Sequence, residues 1–191
     1  MKKPSPDQTL RVVLMDRDGV LNRNMPDTPD GRSDYVKTPD ELEVLSCAPP
    51  AIRRLNEAGY TVIVITNQAC IGKGIISHDD LTAIHAKLQA AVREAGGEIA
   101  AFHYCPHHPD DGCDCRKPKP GMIYQALKTF PFDLGATWMV GDSTRDVECA
   151  VAAGCCGALV RTGHGMKSVA AMPEVPAYEN VGEFVEALLR E

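Results

Sequence analysis

The stretch LRVVLMDRDG, residues 10–19, decides the fold. A short apolar run, β-branched at Val12 and Val13, stops abruptly at Asp16, as a buried strand does when it leaves the core. YTVIVIT at 60–66 repeats the pattern more strongly. Further strands are predicted at 99–104, 137–141 and 157–161. Helical patterns fall between them. One covers 48–59, with Pro49 and Pro50 suited to its first turn and Gly59 to its end. Another follows Ser77, a good cap, with Asp79 and Asp80 where the helix dipole favours anions, and runs to Ala95 before Gly96-Gly97. Others cover 120–130, 144–154 and 181–190. Strand and helix alternate throughout. The expected fold class is therefore α/β: a Rossmann-like, doubly wound, mainly parallel sheet with helices on both faces.

Outward from these elements, residues 1–9 read as a disordered lead-in and 10–191 as a single domain that includes a cysteine loop at 105–115. No internal repeat or low-complexity linker interrupts it. The Pro/Gly/Asp-rich segment 22–40 is longer than most connections, and such loops tend to be functional. Between Asp18 and Thr66 there is room for one loop and one helix, so no separate cap domain is expected.

The 191 residues suffice for one substantial core, and 44% apolar with 24% charged residues is an ordinary globular balance. A formal net charge of −6 argues against a nucleic-acid binder, which is normally basic. No apolar run is long enough to span a bilayer, and MKKPSPDQTL has no apolar stretch behind its lysines. A reducing, cytoplasmic setting is expected, where disulfides are rare. Of the eight cysteines, Cys47, Cys70, Cys149, Cys155 and Cys156 read as small buried hydrophobes. Cys105, Cys113 and Cys115 cluster and need another account.

In an open parallel sheet, ligands bind at the carboxyl ends of the strands. The first strand ends in Asp16-Arg17-Asp18-Gly19 and the second in Thr66-Asn67-Gln68. The third leads to Arg116-Lys117, and the fourth ends in Gly141-Asp142 with Asp146 close behind. Carboxylates brought that close repel one another, and a magnesium ion with a substrate phosphate resolves the repulsion. A carboxylate facing phosphorus can act as nucleophile, and an acid two residues on can protonate the leaving oxygen. If extended geometry persists, residues i and i+2 share a side, so Asp16 and Asp18 would both face the site. Each motif alone also fits an ordinary turn or helix cap. Their joint placement at four strand ends sets the functional reading apart.

The motifs VVLMDRDGVLN, VIVITNQ, RKPKPGM and MVGDSTRD, spanning 12–146, resemble those of haloacid-dehalogenase-superfamily phosphatases. With the C-x-H…C-x-C-RKP-x-PG loop, the chain is similar to the heptose-bisphosphate phosphatases and the related histidinol-phosphate phosphatase branch. The resemblance implies a haloacid-dehalogenase-like fold. It makes Asp16 the nucleophile and Asp18 the general acid/base, with Thr66 and Lys117 holding the phosphoryl group. Magnesium would be bound by the Asp16 carboxylate, the Asp18 backbone carbonyl and Asp142. Asn67 and Arg116 would bind substrate. Three departures touch substrate contacts: Ala69-Cys70 where relatives have Ser-Gly, Ser143 where some have lysine, and an extended loop at 24–34.

For the cysteine loop, the residues alone leave zinc, metal-free thiols and a disulfide open. A bridge within Cys113-Asp114-Cys115 would be strained. His108 rivals His107 as a ligand, while His103 reads as a strand residue. The resemblance implies structural zinc on Cys105, His107, Cys113 and Cys115, a closed four-ligand shell with no place for a water. Such a site would fix a loop without a core and so pre-organise Arg116 and Lys117 for phosphate.

The resemblance further implies hydrolysis of the 7-phosphate of D-glycero-D-manno-heptose 1,7-bisphosphate, feeding lipopolysaccharide synthesis, with histidinol phosphate as the alternative substrate. The expected partner is a small sugar phosphate, with no nucleic acid and no membrane, and the chain is expected to be a monomer. Two non-enzymatic readings stay open: a phospho-aspartate receiver, whose acceptor usually ends the third strand, and a zinc-dependent nucleic-acid module. Lys73 in IGKG reads as plain loop, His85 as structural, Trp138 and Met139 as core, and Arg161 as a surface charge or substrate contact.

Overall fold

A computed structural model describes residues 9–26 and 34–190. Residues 1–8 of the expected lead-in, and 27–33 of the long loop, lie outside the described residues. The chain runs β1 (Arg11–Met15), α1 (Ala48–Glu57), β2 (Tyr60–Asn67), α2 (His78–Glu94), β3 (Ile99–Cys105), α3 (Gly121–Thr129), β4 (Trp138–Gly141), α4 (Thr144–Ala153), β5 (Cys156–Val160), α5 (Gly165–Ala171), β6 (Ala177–Tyr178) and α6 (Val181–Leu188). All six strands are parallel, in the order β3-β2-β1-β4-β5-β6.

Period two along the strands sorts the core into two layers. Val13, Met15, Val62 and Val64 face Ile52 and Leu55 of α1, Leu81, Ile84 and Leu88 of α2, and Phe184 of α6. Val12, Leu14, Ile63 and Ile65 face Met122, Ile123 and Ala126 of α3 and Cys149 and Ala150 of α4. Each Val, Leu, Ile, Met or Phe among them contributes about 1.5–3 kcal/mol when fully buried. With both faces covered, the strands can be apolar without interruption, which is why 60–66 stood out in the sequence. Cys70, Cys149 and Cys155 are buried, as expected, whereas Cys47 and Cys156, at the start of a helix and a strand, are only half-buried. Trp138 is half-buried, edge-on to Phe184.

The caps follow local chemistry. Ser77 and Asp80 form a reciprocal capping box on α2. Ser143 does the same for α4 with Asp146, so Asp142 is not the cap and its carboxylate is free for other work. The sequence reading left 162–180 without structure, yet it contains α5 and β6. A seven-residue helix with no side-chain cap and a two-residue strand carry too little periodicity to show.

The order of strands reverses at β1, which has β2 on one side and β4 on the other. The loops leaving β1 and β4 therefore diverge to opposite faces and open a crevice at their carboxyl ends. Among the described residues, no strand or helix stands between β1 and α1 that would form a separate cap over that crevice.

Candidate active site

Asp16 stands one residue beyond β1, its backbone N–H still bonded to the Val140 carbonyl of β4 (2.9 Å). Its carboxylate accepts from the Arg17 backbone N–H (2.7 Å) and pairs with Lys117 Nζ (2.9 Å). The same ammonium meets Asp146 at 2.6 Å and donates to the Ile65 carbonyl at 2.8 Å. The ammonium thus sits among two carboxylates and one carbonyl. Asn67 holds the backbone of Lys117 in both directions: its Oδ1 accepts from Lys117 N–H and its Nδ2 donates to the Lys117 carbonyl, each at 3.1 Å. Asn67 lines the pocket, but both polar atoms of its amide are engaged in positioning the lysine.

Asp142, at the tip of β4, accepts at Oδ2 from His164 N–H (2.8 Å) and Asn24 Nδ2 (3.2 Å). Its approach depends on missing side chains. A Cβ on Gly19 (φ +84) would fall 2.0 Å from Asp142 Oδ2, and one on Gly163 (φ +60) would fall 2.1 Å from it. Oxygens of Asp16, Asp142 and Asp146 lie within 4.8 Å of one another. Lys117 offsets only one of these three negative charges. Burial first, then Asp146, Asp142 and Asp18, push the Asp16 carboxyl up to about 7 against the pull of Lys117. Burial and then Asp146 push Asp142 up to about 6. Burial opposes the charge on Lys117, but Asp146 and Asp16 outweigh it and raise its pKa. A compact set of oxygen donors with surplus negative charge fits a hard divalent cation.

Asp18 does not reach the pocket by extended geometry. β1 stops at Met15, and the Arg17 carbonyl accepts from the N–H groups of Val20, Leu21 and Asn22 in a turn. Side chains aim the carboxylate instead. Arg17 Nη2 donates to Oδ1 (2.9 Å) and Oδ2 (3.0 Å), Asn22 Nδ2 to Oδ1 (3.0 Å), and Gln68 Nε2 to Oδ2 (2.9 Å). Burial disfavours this charge, but Arg17 and the bonds from Asn22, Arg17 and Gln68 outweigh it and hold the carboxyl below its ordinary range. Thr66 is buried beside it, its Oγ1 accepting from Gln68 Nε2 (2.9 Å).

One pocket gathers Asp16, Asp18, Thr66, Asn67, Arg116, Lys117 and Asp142 with Asp146. Arg116 Nη1 is buried there with no hydrogen-bond partner among the described residues. Sequence reasoning gave Asp146 no role. Its signal was the spacing Ser143-x-x-Asp146, a capping-box pattern at the start of a helix. Arg145, inside MVGDSTRD, also lines the pocket, as do Asn24, Tyr35 and His164, which come from loops and helix ends without a motif. Arg161 pairs with Glu179 (3.0 Å) and does not line the pocket. Lys73 bonds the Tyr35 hydroxyl (3.0 Å).

In the cysteine loop, Cys105, His107, Cys113 and Cys115 converge. Cys113 Sγ lies 3.6 Å from the sulfurs of both Cys105 and Cys115, and His107 Nδ1 lies 3.6 Å from Cys105 Sγ and 3.2 Å from Cys115 Sγ. Tetrahedral zinc with ordinary bond lengths separates its ligands by about 3.5–3.8 Å, so the four atoms fit that ion. The cysteines are free thiols at these distances, not disulfides. His108 turns away: its Nδ1 accepts from the Asp110 N–H and caps the single turn Pro109–Asp111. Two glycines admit the loop. A Cβ on Gly72 would meet backbone atoms of Pro106 and His108 at 2.7 Å, and one on Gly121 would meet the Asp114 carbonyl at 2.3 Å.

A family profile described as HAD-hydrolase-like matches residues 114–187. The chain is 42% identical over 181 residues to the D-glycero-β-D-manno-heptose-1,7-bisphosphate 7-phosphatase of Pseudomonas aeruginosa, covering 94% of this chain and 98% of that protein. A crystal structure of D,D-heptose 1,7-bisphosphate phosphatase from Bordetella bronchiseptica, complexed with magnesium and phosphate, superposes with a TM-score of 0.86 at 39% identity over 95% of this chain and 99% of that one. The corresponding Burkholderia thailandensis structure gives 0.72 at 32% identity, again over 95% and 99%. With the sheet order, the acidic crevice and near-full-length identity in agreement, the chain belongs to the heptose-1,7-bisphosphate 7-phosphatase family of haloacid-dehalogenase-like hydrolases.

Proposed function

We propose that the protein removes the 7-phosphate of D-glycero-β-D-manno-heptose 1,7-bisphosphate through an aspartyl-phosphate on Asp16. The observation that carries this reading is the Asp16 carboxylate at the β1/β4 switch point, paired with Lys117 and crowded by two further acids. The names of the relatives support the substrate and its anomer.

An Asp16 oxygen attacks phosphorus in line and the phosphorus–oxygen bond to the sugar breaks. Asp18, held at the pocket by Arg17, Gln68 and Asn22 and kept low in pKa by them, takes up a proton as the anionic substrate enters and gives it to the departing oxygen. Asp18 then takes a proton from water as that water attacks the aspartyl-phosphate, releasing phosphate and restoring Asp16. Lys117 and Thr66 hold the phosphoryl oxygens. Magnesium, bound by Asp16, Asp142 and the Asp18 backbone carbonyl, supplies charge neutralisation for the transferring group. Asp146 keeps Lys117 in place.

Arg116, with a buried nitrogen lacking a partner, faces the substrate, and Asn67 acts beside it by holding the Lys117 backbone. Arg145, on the same turn as Ser143, adds a second cation to the wall. Zinc on Cys105, His107, Cys113 and Cys115 holds the loop that carries Arg116 and Lys117. The protein acts as a cytoplasmic monomer. Among the described residues no helix is long and apolar enough to cross a membrane.

The test is phosphate release with magnesium from both anomers of heptose 1,7-bisphosphate and from histidinol phosphate. The β-anomer is the expected preferred substrate, and Asp16→Asn is expected to be inactive while folded. Preference for histidinol phosphate overturns the substrate assignment. Turnover by Asp16→Asn overturns the nucleophile.

A further inference from the structure

Arg17 is among the largest fully buried side chains, at 1% exposure. A guanidinium so placed is tolerable only if its N–H groups are satisfied. Nε and Nη2 reach Asp18, and Nη2 also reaches Gln68 Oε1 (3.3 Å). Nη1 has a single partner among the described residues, the imidazole Nε2 of His85 at 3.4 Å. Arginine can only donate, so Nε2 must offer its lone pair and the ring proton sits on Nδ1.

His85 has no other evident reason to be polar. It lies on the buried stripe of α2 with Leu81, Ile84 and Leu88. Its ring stacks on Phe102 of β3, centroids 4.4 Å apart at 15°. That stacking fixes the plane of the ring, and hence the direction from which Nη1 is held. From there the chain of contacts is continuous. Arg17 Nη2 grips both Asp18 oxygens and fixes Gln68 Oε1, and Gln68 Nε2 then bonds Asp18 Oδ2 and Thr66 Oγ1, each at 2.9 Å.

We propose that His85, which never touches substrate, is a positioning residue for acid/base catalysis: by accepting from Arg17 it orients the guanidinium that aims the Asp18 carboxyl at the leaving oxygen. Burial and the adjacent Arg17 charge also keep the ring neutral, so the acceptor persists across the working pH range.

This rests on the proposed phosphatase reading, and the experiment separates the two. A sugar alkoxide needs a proton from Asp18 to leave, and p-nitrophenolate does not. We compare kcat/KM for heptose 1,7-bisphosphate and p-nitrophenyl phosphate in wild type, His85→Phe and His85→Gln. Phenylalanine keeps the stacked ring without an acceptor, and glutamine restores an acceptor. The expected result is a loss of about ten-fold or more on the heptose substrate with His85→Phe, less than about two-fold on the aryl phosphate, and recovery with His85→Gln. Equal losses on both substrates, no loss, or no difference between the two variants overturns the proposal. Absence of phosphate release by wild type from either substrate overturns the phosphatase reading instead. Melting temperature of each variant shows that it is folded.

Discussion

The ammonium of Lys117 lies 2.6 Å from the carboxylate of Asp146, and the two side chains are only 2% and 1% exposed. Asp146 is also the N3 residue of α4, accepting from the Ser143 N–H at 3.0 Å. The first turn of a helix thus anchors the lysine that faces Asp16. Gly141 makes room for it, since a Cβ there would fall 2.2 Å from the Asp146 side chain.

Replacing Lys117 leaves buried carboxylates without their cation. Lys117→Ala should lower stability by about 3–5 kcal/mol in metal-free buffer and kcat by about 100-fold or more. Asp146→Asn should cost less stability but should also reduce kcat, because Lys117 loses its anchor. Denaturant unfolding in chelator, with steady-state kinetics in magnesium, measures both. Wild-type stability in Lys117→Ala would contradict the burial argument.

Gly19→Ala places a methyl group on the Asp142 carboxylate at a backbone angle of +84°. Displacement of Asp142 should weaken magnesium binding and activity, with about 1–3 kcal/mol of backbone strain. Titration with magnesium followed by calorimetry distinguishes this from simple unfolding. Unchanged magnesium affinity in a folded Gly19→Ala protein would show that Asp142 can move aside.

The raised pKa of Asp16 makes metal-free stability depend on pH. Between its ordinary value of 3.8 and about 7, the folded chain binds a proton that the unfolded chain does not. The stabilisation is full below the lower value and is lost as pH rises through the upper one. In chelator, Asp16→Asn should therefore melt above wild type at pH 8, with the gap narrowing towards pH 4. Magnesium should restore wild type at pH 8 more than the variant. A gap independent of pH would mean that Asp16 is ionised throughout.

Removing a ligand of the cysteine cluster should act at a distance. Cys113→Ser should lose bound zinc by elemental analysis and lower the melting temperature. Misplacement of Arg116 and Lys117 should reduce kcat/KM by about 100-fold. Full activity in a zinc-depleted Cys113→Ser protein would disconnect the loop from the site.

Much of the architecture was readable along the chain. The apolar runs at 10–15 and 60–66 announced buried parallel strands because both of their faces are covered. Ser77 and Gly59 marked helix ends through backbone chemistry that is local. Helix α5 and strand β6 left no such trace, being too short to show a period.

For the site, the sequence determined which chemical groups arrive at which strand ends, because motif and strand are contiguous in the chain. Only the tertiary structure decided how those groups are used. It placed Asp146 on Lys117, turned the Asn67 amide onto the lysine backbone, and brought His164 and Asn24 to Asp142. It also set His85 behind Arg17, 68 positions away. These pairings join residues remote in sequence, and the parallel crossovers that bring them together leave no mark on the residues themselves. The partner of a buried polar group is chosen by whatever donor or acceptor the fold places within about 3 Å.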